Sequence, residues 1–152
     1  RQVSSAASDV YKRQDEKFSK NGKFYLTGDT GKTDKDGYFY FISRDDDVII
    51  MAGYRIGPFE VEAALSTNPA VNECAVIAAP DNIRGEVIEA FVVLKPNYLA
   101  SEELTKSLQE WVKTKFAAHA YPRAIHYVNS LPKNPSGKIQ RFMLRDSRKD
   151  NN

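Results

Sequence analysis

Cysteine is nearly missing from this 152-residue sequence, where Cys74 stands alone. That excludes an internal disulfide framework and a cysteine-rich zinc site, and it is in keeping with a reducing compartment. Histidine is nearly as scarce: His119 and His126 have no companion ligands at metal-binding spacing, so no metal site is expected. Charge of one sign is not in surplus either. With 22 Lys+Arg against 20 Asp+Glu the formal net charge is +2, whereas a dedicated nucleic-acid binder clusters an excess of Lys and Arg. No apolar run approaches the roughly 20 residues that a membrane-spanning helix needs. What is present is 41% hydrophobic residues, and a chain of this length buries roughly 70% of its unfolded surface as one domain without disulfide support.

Residues 1–14 (RQVSSAASDVYKRQ) are small and polar, with neither a strand nor a helix period. They resemble a translated library adapter and are expected to be a non-native or disordered leader. A strand is then expected at Lys23–Thr27, and another over Gly37–Ile42 behind the Asp36-Gly37 turn signal. Asp47–Met51 and Tyr54–Ile56 flank Ala52-Gly53, which reads as a second tight reversal. Gly57-Pro58 opens a helix, since proline in the first turn loses no hydrogen bond. Glu60 and Glu62 lie near its positive end, Val61, Ala64 and Leu65 form its apolar stripe, and Asn68-Pro69 ends it. Two β-rich runs follow, Val71–Ala79 and Glu89–Leu94. Ser101 is placed to cap a helix carrying Leu104, Leu108, Trp111, Val112 and Phe116 at helical spacing. Tyr121-Pro122 stops it before a third strand over Ala124–Val128. The fold class expected is α+β, a small sheet packed with two main helices, followed by a polar loop and a solvated basic tail over Arg141–Lys149. Residues 15–43 are too few to close a core of their own, so the front strands are expected to belong to a larger body.

Three motifs carry chemistry. In Tyr25-Leu26-Thr27-Gly28-Asp29-Thr30 a carboxylate follows a glycine; it is either a simple turn residue or, as a double acceptor, a partner for a vicinal diol. In Arg44-Asp45-Asp46-Asp47, three adjacent carboxylates suggest either a metal site or a solvated linker. Asp45 and Asp47 would share one face of an extended chain with Asp46 on the other, and the spacing fails as an EF-hand. A linker is also where a hinge would sit. In Leu131-Pro132-Lys133-Asn134-Pro135-Ser136-Gly137-Lys138-Ile139-Gln140-Arg141, two prolines and a glycine keep the chain irregular and put Lys138 at its tip. An ammonium there suits carboxylate or phosphate oxygens, while the first glycine and the final Ser/Thr of a Walker loop are missing.

These motifs, in this order, and the block Gly53-Tyr54-Arg55-Ile56-Gly57-Pro58-Phe59-Glu60-Val61-Glu62 resemble the C-terminal part of the adenylate-forming superfamily of acyl-CoA synthetases, peptide-synthetase adenylation domains and luciferases. Arg84-Gly85-Glu86, ahead of the Ala90–Leu94 strand, is similar too. The resemblance covers Lys23 to Arg145 and is nearest to the acetyl-, butyryl- and medium-chain acyl-CoA synthetases. It implies a division into 1–14 leader, 15–45 tail of an N-terminal AMP-binding domain, 46–147 mobile C-terminal domain and 148–152 disordered tail. It also implies an acid–thiol ligase of fatty-acid metabolism that uses ATP with Mg2+ and CoA, forming acyl-AMP from a short- or medium-chain carboxylic acid and then a thioester.

Carried over by residue, Asp29 would bind the ribose hydroxyls of ATP or AMP and Arg44 the ribose or phosphate. Asp46 would be the hinge of domain alternation, and Gly53 would let the backbone pass close to the CoA thiol channel. Arg55 and Arg84 would meet the CoA phosphates, with the basic tail a lesser candidate for that contact or for docking. Lys138 would be the adenylation lysine. The chain's own N-terminal domain would be its partner, in the cytoplasm, or in the mitochondrial matrix if a transit peptide precedes it. Two alternatives stay open: an enzyme loading a carrier-protein phosphopantetheine, and a non-catalytic α+β binding module. No Gly/Ser/Thr-rich phosphate loop and no acyl pocket are present, so the chain alone is not expected to form acyl-AMP. Pro135 would stiffen the lysine loop.

Overall fold

A computed structural model describes residues 17–149; the leader at 1–14 and residues 150–152 of the expected tail lie outside the described residues. The chain divides into two compact units between Asp46 and Asp47.

The first unit is built on one hairpin, β1 (Asp29–Thr33) and β2 (Phe39–Arg44), paired antiparallel from Asp29↔Arg44 to Thr33↔Phe39. Asp34 makes its turn: Oδ1 accepts from the Asp36 and Tyr38 amides at 3.0 Å each, and Oδ2 accepts from the Tyr40 hydroxyl at 2.9 Å. The expected strand at Lys23–Thr27 does not form. That stretch makes only an isolated bridge, Phe18↔Tyr25, and the ladder starts at Asp29. The Asp29 amide there is taken by the Thr27 hydroxyl at 3.1 Å and the Gly28 carbonyl by the Asp45 amide at 2.8 Å, so the chain turns just before the sheet. Phe24, Tyr38, Phe39 and Phe41 are all exposed within this unit, as expected of strands too few to bury both faces.

The second unit holds a five-stranded sheet. β5 (Val71–Asp81) and β6 (Gly85–Leu94) form its long antiparallel spine. The other edge of β6 is shared: Gly85 pairs with Met51 of β3 (Ile49–Met51), and Glu89–Val92 run parallel to β7 (Ala124–Tyr127). β4 (Tyr54–Ile56) closes a hairpin with β3. The turn between them is Ala52-Gly53, with φ of 49° and 85°, the doubly left-handed geometry that a two-residue hairpin takes.

Helix α1 (Pro58–Ser66) and helix α2 (Glu102–Lys115) cover one face. Val61 and Leu65 of α1 and Leu108 and Val112 of α2 pack there with Val76, Ile88, Ala90 and Val92. Ser101 caps α2 as expected, accepting from the Leu104 amide at 3.1 Å. None of the described helices is long and apolar enough to cross a membrane.

The opposite face departs from expectation. Arg141–Lys149 is a third helix, α3, rather than a solvated tail. Leu144 packs with Ala75, Ile77, Phe91 and Leu131, so the sheet is buried on both sides. That is why β5 and β6 read as near-continuous apolar runs rather than alternating ones. Charge pairing explains the basic stretch: Arg141 meets Glu62 and Asp47, Arg145 meets Asp47, and Arg148 meets Glu89. Glu62 is accordingly not an exposed carboxylate at a helix start. It turns inward, 9% exposed, and also accepts the Val76 amide at 2.8 Å.

Candidate functional site

The lysine loop is a built turn. The Gly137 amide donates to the Asn134 carbonyl at 2.9 Å, with Pro135 at the second position and Gly137 at φ 81°. This is a type I turn closed by a left-handed glycine. Asn134 Oδ1 sits inside it, accepting from the Ser136 amide at 3.1 Å, the Ser136 hydroxyl at 2.9 Å and the Lys138 amide at 2.8 Å. Lys133↔Ile139 bridges the base, and Leu131 is buried below. Lys138 is exposed on this pinned backbone. An ammonium so held faces solvent with its main chain already ordered, which is the preorganisation a charge-stabilising group needs.

A second group of expected residues meets at another corner. The Ala52 amide of the β3–β4 turn donates to the Arg84 carbonyl at 3.0 Å, which brings Gly53 beside the β5–β6 turn. Asp81 Oδ1 accepts the Arg84 amide at 2.7 Å and that of Ile83 at 3.0 Å, and these bonds hold its carboxyl below the ordinary value. Arg55 is exposed on β4, opposite Ile50. A Cβ built on Gly53 has nothing within 4 Å. Within this unit the glycine therefore answers to backbone conformation rather than to lack of space.

Arg123 joins this corner and was not singled out from the sequence. Its amide donates to the Ile88 carbonyl at 2.7 Å, its guanidinium lies 3.9 Å from the Tyr121 ring centroid, and Nη1 donates to the Tyr121 hydroxyl. Burial pushes its pKa down, Arg84 adds to that and Asp81 opposes it. Its Nε is buried without a hydrogen-bond partner among the described residues. The only sequence signal is an arginine beside Tyr121-Pro122, and strand order alone does not bring it against β6.

In the first unit, Asp29, Arg44 and Asp46 come together. Arg44 Nε donates to Asp46 Oδ1 at 3.0 Å, and Arg44 Nη1 lies 3.9 Å from Asp29 Oδ1 across the hairpin. Two of the three consecutive aspartates pair with arginines of different elements. Asp46 serves Arg44, and Asp47 serves Arg141 and Arg145. Among the described residues no three His, Cys, Asp or Glu are grouped to hold a metal. His126 instead stacks on Phe91 at 4.7 Å and meets Glu89 at 3.0 Å. Cys74 lies buried on β5, where burial pushes its thiol up to about 11 while the Ser66 hydroxyl draws it down.

Lys138 and the Gly53–Arg84 corner sit far apart. Lys133, at the base of the lysine turn, pairs with Glu73 near the start of β5 at 2.8 Å, while Arg84 follows its end at Asp81. The eight-residue step along an extended strand is roughly 26 Å at ~3.3 Å per residue.

The family described as AMP-binding enzyme C-terminal domain matches residues 60–138, just over half of the chain. Human acyl-coenzyme A synthetase ACSM5, mitochondrial, is 56% identical over 129 residues, 84% of this chain and 22% of that protein. The crystal structure of Brucella canis acyl-CoA synthetase is 52% identical with a TM-score of 0.69, covering 86% of this chain and 24% of that one. ATP-bound MatB from Rhodopseudomonas palustris is 30% identical with a TM-score of 0.80, covering 93% and 27%. The chain spans about a fifth of the length of the curated relatives it matches. With an exposed lysine on a pinned turn and a sheet wrapped on both faces, it belongs to the AMP-binding enzyme C-terminal domain family.

Proposed function

We propose that the chain acts as the C-terminal domain of an ATP-dependent acyl-CoA synthetase for short- or medium-chain carboxylic acids. In the first step a carboxylate oxygen attacks the α-phosphorus of ATP, the bond to the bridging oxygen breaks, and pyrophosphate leaves. In the second the CoA thiol gives up its proton to solvent, its sulfur attacks the acyl carbonyl, a thioester forms and AMP departs with the electron pair of the broken bond. Lys138 offsets the charge that builds on the phosphoryl oxygens, while Asp29 and Arg44 hold the ribose and its neighbouring phosphate. Arg84 and Arg55, joined by Arg123, receive the CoA phosphates beside Gly53. ATP brings its own Mg2+, and no residue described here is assigned to that ion.

The observation that carries this reading is the placement of Lys138 and Gly53 toward opposite ends of β5 in one compact unit. The lysine must be present for adenylation and absent when the thiol reaches the same carbonyl. A domain that turns at Asp46 and presents first one end and then the other meets both needs. The ATP held by MatB and the acyl-CoA synthetase names of the relatives support the chemistry. The mitochondrial location in the ACSM5 name favours the matrix over the cytoplasm.

In the parent enzyme, Lys138→Ala is expected to slow pyrophosphate release from acid plus ATP by about 10²- to 10³-fold, equivalent to ~3–4 kcal/mol of transition-state stabilisation. Thioester formation from supplied acyl-AMP should persist. Equal loss of both steps would count against the assignment. Transfer to a carrier-protein phosphopantetheine in preference to CoA would point to a carrier-loading enzyme instead.

A further inference from the structure

One carboxylate stands between the proposed pivot and the lysine turn. Asp47 is the first residue of the second unit, and its side chain is only 10% exposed. Its Oδ1 accepts from Arg145 Nη1 at 3.0 Å and its Oδ2 from Arg141 Nη1 at 3.3 Å. The same Arg141 guanidinium donates through Nη2 to both Glu62 oxygens at 2.8 and 2.9 Å, and through Nε to Oε1 at 3.3 Å. Glu62 Oε1 is in turn tied to the Val76 amide of β5. Arg141 is the first residue of α3 and stands three positions after Lys138.

The other leg of the turn is anchored by buried Leu131, while the Lys133–Glu73 pair at 2.8 Å lies open to solvent. An exposed ion pair would hold such a turn loosely, because water competes for both partners. A bidentate pair largely removed from water is directional and does not open without costing two buried carboxylates a counter-charge.

We propose that Arg141 is a positioning residue for Lys138. By clamping Asp47 and Glu62 together, it makes the start of the unit, α1 and the lysine turn one rigid piece. A rotation at Asp46 then reaches the ammonium undiminished. Arg141 itself touches no substrate. Arg145 and Arg148 staple α3 to the body, but Arg141 alone reaches both Asp47 and Glu62 from the edge of the turn. The inference rests on the role given to Lys138 above.

Arg141→Lys and Asp47→Asn in the parent enzyme test it; Arg141→Ala is avoided because it leaves Asp47 and Glu62 short of counter-charge. For pyrophosphate release, kcat is expected to fall about 10- to 100-fold with KM for ATP and acid little changed, the signature of a displaced reacting group. Thioester formation from supplied acyl-AMP should stay within about threefold. In a Lys138→Ala background, Arg141→Lys should take nothing further from the residual adenylation, since a residue acting only through Lys138 is non-additive with it. Losses that are equal in both half-reactions and follow the thermal midpoint, or that add in the double variant, overturn the proposal. If Lys138→Ala itself spares pyrophosphate release, the reading of Lys138 fails instead. Should Arg141→Lys not fold, Asp47→Asn keeps the Glu62 pair and carries the same comparison.

Discussion

Gly53 separates two physical reasons for one glycine. A left-handed backbone disfavours any Cβ by about 1–2 kcal/mol, with asparagine tolerated best, and Gly53 has φ 85° with open space around it. Gly53→Ala is therefore expected to cost about 1 kcal/mol in urea unfolding and Gly53→Asn less than that. The parent enzyme then distinguishes the roles. If the thiol passes over this turn, Gly53→Asn slows thioester formation from acyl-AMP while pyrophosphate release holds. Unaltered transfer would leave turn geometry as the whole account of the residue. The turn was legible from Ala52-Gly53 between Asp47–Met51 and Tyr54–Ile56, and Ser101 as a cap was legible for the same reason. Both are decided by residues within a few positions of each other.

At the scale of elements, α3 is where sequence reading fell short. Nine residues with Arg141, Arg145 and Arg148 at helical spacing read as a solvated basic tail, because their carboxylate partners lie at 47, 62 and 89. Nothing local announces those partners. The consequence is measurable through Glu89, which burial pushes up but Arg148 and His126 together hold below the ordinary glutamate value. A carboxylate with a lowered folded pKa adds stability that is complete above its unfolded value of about 4.3 and is lost as pH falls through the folded value. Acid should therefore loosen the chain below about pH 4.3. Glu89→Gln should be less stable at neutral pH and show a shallower decline there in a pH series of thermal midpoints; an unchanged slope would remove Glu89 from that account.

For the whole molecule, the proposed rotation predicts a split between half-reactions. Proline fixes φ near −65°, so Asp46→Pro in the parent enzyme is expected to slow one half-reaction at least about tenfold more than the other by restricting the conformational step. Stopped-flow comparison of pyrophosphate release and CoA transfer would show it, and uniform slowing would remove the pivot from Asp46. The sequence by itself determined the α+β class, the two hairpin turns, the proline start of α1, the Ser101 cap of α2, the apolar stripes of both helices, and the exposed lysine turn. Each is written in short-range propensity and spacing, where neighbours along the chain are also neighbours in space. Only the tertiary structure decided that the second face of the sheet is covered, that Arg123 is bound to Ile88 of β6, and that Asp47, Glu62 and Arg141 form one clamp. Those contacts join residues tens of positions apart. Burying opposite charges together depends on which surfaces the packed sheet and helices bring face to face, and no periodicity in the sequence encodes that.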